Sequence, residues 1–273
     1  MSADAWIRLI CFSGVFSLLL ILERYWPQRR KTVAASFRYG ARWFNNLGLL
    51  LLNSILLRAL TVVATLSSAL WATQHQWGLF NLISLPVLVK TLITLIILDL
   101  LIYAQHRLMH SWPLLWQLHQ IHHSDIDLDL TTGGRFHPLE IGLSILLQSV
   151  VIVLLGLNVV GVLAYGILLN AFALFVHANL RLNSKLDAGL RRIVITPDLH
   201  RIHHSQIVHE TNSNYGTILS GWDRLFKSYR ATAQQAPADI DIGLTQYPHN
   251  LSLLALLLLP WRTHARSNSK HST

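Results

Sequence analysis

The sequence predicts an all-α integral membrane protein: four to five transmembrane helices, counted as three spans plus a helical hairpin, under a cytosolic histidine-rich helical cap. Three observations predict it. The 273-residue chain is 52% hydrophobic and only 13% charged, whereas soluble domains carry about 25% charged residues. Its apolar residues gather in runs near the length of about 20 that a bilayer demands of a helix. Eight of its 15 histidines fall in three five-residue windows, the first of them directly after an apolar run.

The first run, Trp6–Leu22, is closed by Glu23, Arg24 and the Trp26–Pro27 break. Asp4 precedes it and no small-residue cleavage site follows, so it is expected to be an anchor rather than a removed leader. The second, Asn46–Trp71, is expected to be one span, with Arg58 facing a neighbouring helix or an interface. The third, Leu82–Tyr103, runs into the first histidine window. The fourth, Leu139–Val176, has no charge after Glu140 and is too long for one crossing; Gly156-Leu-Asn158 near its middle predicts a tight hairpin. Leu251–Trp261 is too short to span and is expected to lie at the interface or to pack on the domain, followed by a polar tail, Arg262–Thr273, expected to be disordered. The expected organisation is an N-terminal anchor region (1–90), a histidine-bearing domain (91–231) and a C-terminal segment (232–273).

Basic residues near span ends mark the cytoplasmic side. Arg24, Arg29, Arg30, Lys31, Arg38 and Arg42 lie between the first two runs, and no Lys or Arg lies in Ala72–Asn81. Counting crossings from there puts all three windows at the cytoplasmic boundary. The net charge of +9 is read as this orientation signal; no motif supports nucleic-acid binding. The single cysteine, Cys11, allows no disulfide framework.

The windows are His106-x-x-x-His110, His119-x-x-His122-His123 and His200-x-x-His203-His204. Neutral imidazole is the commonest side-chain metal ligand and suits iron, zinc and copper. On a helix, i/i+4 sets two rings about 40° apart and i/i+3/i+4 spreads three over roughly 100°, so each window is expected to aim at one point. Eight ligands exceed what one tetrahedral ion takes, which favours two ions. The third window follows Thr196-Pro197-Asp198, a helix start with Thr as N-cap. Trp112 and Trp116 are expected to be interfacial anchors. His177, at the end of the hairpin, is a ninth candidate, and His137, in Arg135-Phe-His137-Pro-Leu-Glu140, is either a ligand or an organiser of the loop with Glu140. His75, His209, His249, His264 and His271 are not expected to ligate. Asp99, Tyr103, His106 and His110 share one helical stripe. Metal-bound histidines usually give their second N–H to a carboxylate or carbonyl, so Asp99, with Tyr103, is the expected partner for the ligands; the alternative is a pairing of Asp99 with Arg58 or Lys90.

Taken in order, these stretches resemble the fatty acid hydroxylase/sterol desaturase superfamily of integral-membrane non-haem di-iron oxygenases. The matching segments run from Asp99 through His106-Arg-Leu-Met-His110, His119-Gln-Ile-His122-His123-Ser124 and Arg135-Phe-His137-Pro-Leu-Glu140. They continue through His177-Ala-Asn179, His200-Arg-Ile-His203-His204-Ser205, Asn214-Tyr215-Gly216 and Trp222-Asp223-Arg-Leu-Phe226. The resemblance implies an O₂-dependent oxidation of a lipid C–H bond, by hydroxylation or desaturation, at two iron ions. It implies as ligands His106, His110, His119, His122, His123, His177, His200, His203 and His204. Some members carry a further histidine where this chain has Arg181, and the Asn two residues after His177 matches the sterol-desaturase-like branch. After Phe226 the family commonly continues with glycine, where this chain has Lys227.

Such chemistry needs electrons. With no Gly-x-Gly-x-x-Gly fingerprint and no segment left for a haem or flavin domain, a separate donor is expected, a ferredoxin or b-type cytochrome with its reductase. The rival readings are a zinc-loaded or non-catalytic histidine-rich metal-binding membrane protein, and a membrane zinc protease, for which the His-Glu-x-x-His motif is missing.

Overall fold

Apolar runs become helices here wherever the sequence supplies a start and a stop. The computed structural model describes the backbone of residues 3–29, 36–59 and 65–267 and the side chains of 4–29, 40–56 and 65–262. The chain runs α1 (Ala3–Tyr25), α2 (Ser36–Ala59), α3 (Thr65–Gln74), α4 (Val87–Ser111), α5 (Pro113–His123), α6 (Pro138–Leu155), α7 (Val159–His177), α8 (Ser184–Leu190), α9 (Pro197–His203), α10 (Val208–Thr211), α11 (Gly221–Leu225) and α12 (Leu253–Ser267). Among the described residues there are three isolated bridges but no strand. Four helices, α1, α4, α6 and α7, are long and apolar enough to cross a membrane, and the protein is an all-α integral membrane protein.

The hairpin forms as its sequence predicts. Pro138 opens α6 at the first turn, and Gly156 closes it in the left-handed conformation (φ 66°) that glycine adopts without steric cost. Asn158 then caps α7, its side chain accepting from Gly161 N at 2.9 Å. A Cβ on Gly78 would meet Gly156 N at 2.1 Å, so the chain after α3 touches the hairpin tip only because both residues lack one. Thr94 of α4 donates order to the same tip by accepting from Asn158 N at 3.2 Å. Leu98, Ile152, Val162 and Tyr165 pack together between α4, α6 and α7. Only 6% of the apolar window of α1 is buried. That helix presents most of its surface to lipid and meets α7 through Leu19 and Leu174.

The run Asn46–Trp71 is described as α2 up to Ala59 and as α3 from Thr65, with residues 60–64 outside the described residues. Arg42, Asn45, Asn46 and Asn53 turn a polar face of α2 onto other protein segments. One expectation is corrected. At the C-terminus, residues 262–267, expected to belong to a disordered tail, continue α12. This helix docks Leu256 and Leu259 on Leu49 and Ile121. Arg30, Lys31, the side chains of Arg38, Arg58, His264 and His271, and residues 268–273 lie outside the described residues.

Beyond the open ends of α4 and α7, the short helices build a cap on its own apolar cluster. Leu199 and Ile202 of α9 sink beside Leu128, Val176, Ile195, Ile240 and Ile242. Each such side chain removed from water contributes roughly 1.5–3 kcal/mol. Burying Leu199 and Ile202 leaves the interleaved histidines of α9 on the helix face turned toward α5 and α7.

Candidate metal centre

The three windows do not each aim at one point. His106, His110, His119, His123 and His203 form one group; His122, His177, His200 and His204 form another, with the candidate nitrogens of each group within 4.8 Å of one another. Both His-x-x-His-His windows are therefore split, because adjacent residues on a helix point about 100° apart. α5 and α9 lie between the groups and each serves both. The groups abut: His123 and His204 stack at 4.5 Å between ring centroids, and His200 and His203 at 5.1 Å.

In the five-membered group every Nε2 is buried without a hydrogen-bond partner. Behind the rings, the other nitrogen is held. His106 Nδ1 bonds Tyr215 O at 2.7 Å and His203 Nδ1 bonds Ser213 O at 2.8 Å. His119 Nδ1 donates to Glu140 Oε1 at 2.7 Å. Those bonds fix the tautomer that leaves an Nε2 lone pair pointing inward. In the four-membered group, His177 Nε2 lies 2.9–3.2 Å from the Nε2 atoms of His122, His200 and His204. An ion holding imidazoles at about 2.0–2.1 Å keeps neighbouring nitrogens about 2.9–3.4 Å apart. His177 Nδ1 bonds Ala173 O at 2.6 Å.

Burial, followed by the proximity of the other rings, holds the imidazoles of His122, His123, His200 and His204 far below their ordinary pKa; His203 is held down by burial and by His106 and His110. They are neutral across the physiological range, the form that ligates metal. A buried set of nitrogens, unpartnered in one group and crowded against one another in the other, costs free energy unless something binds them, and an all-nitrogen donor set fits iron, zinc or copper.

The cap around the groups is closed by aromatic walls. Phe136 stacks on His122 at 4.4 Å, and Trp116 packs at 5.1 Å from His110 and 5.4 Å from His123. Trp116 thus lines the site instead of anchoring the interface, while Trp112 is exposed.

Asp99 is not the partner of a histidine. Its Oδ2 accepts from Trp222 Nε1 at 2.8 Å and Leu219 N at 3.2 Å, with no pairing to Lys90, whose Nζ donates to Phe80 O. Tyr103 OH meets Ser228 Oγ at 2.8 Å, and Ser228 donates to Asp223 Oδ1 at 2.6 Å. Asp223 also accepts from Tyr215 N and Gly216 N. Both residues of the α4 stripe therefore brace the 213–228 loop, whose carbonyls orient His106 and His203. His137 caps α6: its Nδ1 accepts from Leu139 N and its Nε2 donates to Leu257 O at 3.2 Å. With both nitrogens engaged it lies outside the two groups, as do His75, His209 and His249.

Sequence reading missed the polar frame beneath the site. Arg42 pairs with Asp125 and Asp129 and donates to Thr132 Oγ1 at 2.8 Å. Arg135, fully buried, donates to Ile121 O, Asn46 Oδ1 and Ser124 Oγ. Arg29 pairs with Asp127, and Asn179 holds Arg29 N at 2.9 Å. Arg29 and Arg42, counted in the sequence only as orientation charges, are also members of buried ion pairs; the signal was the unexplained trio Asp125, Asp127 and Asp129 directly after the second window.

Fold and site together define a helical membrane protein with paired imidazole nests at the mouth of its bundle. The chain belongs to the fatty acid hydroxylase family, whose model matches residues 91–228. It is 33% identical over 160 residues to an ornithine lipid hydroxylase of Rhizobium tropici, covering 59% of this chain and 47% of that one. It is 31% identical over 129 residues to the alkylglycerol monooxygenase of Homo sapiens (47% of this chain, 28% of that one). It is 28% identical over 142 residues to a Δ7-sterol 5(6)-desaturase of Eremothecium gossypii (52% and 37%). The chain thus spans less than half the length of these relatives. No solved structure matches it.

Proposed function

We propose that this chain is a membrane-bound, O₂-dependent di-iron oxygenase that hydroxylates or desaturates a C–H bond of a membrane lipid. One observation carries the reading: nine histidines from four separate helices converge as neighbouring groups of five and four at the membrane end of α4 and α7. His106, His110, His119, His123 and His203 would hold one iron, and His122, His177, His200 and His204 the other. Bound there, the iron pair supplies what the amino acids lack, a change of oxidation state able to activate O₂ toward an unactivated C–H bond.

The chain's own residues do the rest. Glu140, Ser213 O and Tyr215 O keep the rings turned toward the site. Phe136 and Trp116 keep water from its walls. The apolar faces of α4, α6 and α7 admit a lipid chain laterally from the bilayer, without passage through water. The names of the relatives cover an ornithine lipid, an alkylglycerol and a sterol, and both hydroxylation and desaturation. This keeps both outcomes, which share an initial hydrogen abstraction, within the proposal.

The site faces the cytoplasm by the distribution of basic residues. A separate ferredoxin or b-type cytochrome with its reductase supplies electrons, drawn to this basic chain by opposite charge. Lipid mass spectrometry of cells with the wild-type chain, with His203→Ala, and without the chain tests the reading. A lipid shifted by one oxygen or by loss of two hydrogens should appear only with the wild type. An unchanged lipidome, in cells where the protein carries its iron, rejects it.

A further inference from the structure

One face of the cap combines exposed apolar side chains with exposed cations. The segment after α8 and the turn around α11 are joined by Ser220 N to Ile193 O at 3.0 Å and by the Arg224 guanidinium to Arg191 O at 3.0 Å. On this joined surface Ile193 is 66% exposed, Leu225 65% and Phe226 43%. Arg192, Arg224 and Lys227 are exposed between them. The nearby acids do not neutralise this charge, since Asp187 and Asp223 are buried.

The depth of the surface is set by α4. Trp222 of α11 hydrogen-bonds Asp99, which lies inside the apolar helix Val87–Ser111. It sits seven residues, roughly 10 Å along the axis, before His106 on the side of the span. Arg107 of the same helix donates to Phe226 O at 3.2 Å. The turn therefore lies alongside the span rather than on top of the cap. Apolar side chains interleaved with Lys and Arg at that level are the pattern of a surface seated in the headgroup layer.

We propose that the surface formed by Arg192, Ile193, Arg224, Leu225, Phe226 and Lys227 docks into the leaflet and binds anionic lipid headgroups. Ile193, Leu225 and Phe226 enter the acyl boundary while the three cations meet phosphate or carboxylate groups. This fixes the depth of the cap and, through Trp222–Asp99 and Ser228–Tyr103, couples headgroup contact to the loop that orients His106 and His203. The competing occupant, an acidic electron-carrier protein, accounts for the charge but not for the position beside the span.

The test uses full-length protein in nanodiscs, with Cys11→Ser as background and a single spin label at Ile193→Cys, Leu225→Cys or, as a cap control, Ala236→Cys. Collision with O₂ should dominate at 193 and 225, and collision with a water-soluble nickel chelate should dominate at 236. In parallel, Arg192→Gln and Lys227→Gln should each lower the preference for phosphatidylglycerol over phosphatidylcholine nanodiscs by about fivefold, with thermal stability retained. Nickel-dominated collisions at 193 and 225 overturn the proposal. The same pattern relieved only on adding an acidic ferredoxin overturns it in favour of a protein-docking face. Unchanged lipid preference in both glutamine variants overturns the headgroup assignment.

Discussion

Glu140 Oε1 accepts a hydrogen bond from His119 Nδ1 at 2.7 Å, with both side chains almost fully buried. The carboxylate is the first acidic residue of α6 and the histidine lies on α5. This single bond therefore ties the membrane hairpin to the five-membered imidazole group. It sets which nitrogen of His119 faces inward and raises that nitrogen's basicity.

Glu140→Gln should lower metal affinity of the five-membered group by about 10- to 100-fold while leaving the fold intact. Competition titration with a chelator checks this. An affinity equal to wild type would reduce Glu140 to a helix-capping charge.

Removing a ligand should cost more than removing its partner. His203→Ala, from one group, and His122→Ala, from the other, should each lose at least about 100-fold in turnover, read as product formed per protein in a reconstituted assay. Retained turnover would remove that residue from the set.

Lys227 adopts φ 59°, where an L side chain costs roughly 1–2 kcal/mol and glycine almost nothing. The left-handed turn after Phe226 is the physical reason that family members commonly carry glycine there. Lys227→Gly should stabilise the protein by about 1 kcal/mol in detergent unfolding, and Lys227→Ala should not.

Arg42 holds the frame beneath the site. Burial pushes the Asp125 carboxyl up, but the Arg42 and Arg135 charges and the hydrogen bonds from Arg42 and Thr132 outweigh it and leave the pKa lowered. A carboxylate lowered in the folded state contributes stability above its unfolded pKa of about 3.9, and that contribution is lost as pH falls through the folded value. Unfolding should therefore steepen below about pH 4. Arg42→Ala, which strands buried carboxylates, should cost about 3–5 kcal/mol, measured by denaturant unfolding at neutral pH. A change of less than 1 kcal/mol would show that the pair is not structural.

The fold was legible where local chemistry decides it. The hairpin follows from Gly156 and Asn158, and α9 from Thr196 and Pro197, because a cap or a turn is specified by residues adjacent in sequence. Eight of the nine ligand candidates were legible because imidazole density needs no tertiary information; His177, a lone histidine, stood out only by its place at the end of the hairpin and by the family resemblance. The partition of the nine was not legible. Whether His122 sides with His119 or with His177 depends on where α5 lies between α4 and α9, which no window of sequence contains. Asp99 was misread because stripe geometry placed it below His106, while the actual carboxylate partner, Glu140, approaches His119 from another helix. Arg42 was only half read because a cation near a span end can be both an orientation signal and half of a buried pair, and only Asp125, 83 residues away, reveals the second.

The central claim is that the groups of five and four imidazoles each hold an iron. Metal analysis of the full-length protein from iron-supplemented cells tests it most directly, with Mössbauer spectra of the wild type, His203→Ala and His200→Ala. Two irons per chain in the wild type, and selective loss of a different iron in each variant, is the predicted result. One ion per chain, or zinc at full occupancy despite iron supplementation, would contradict it.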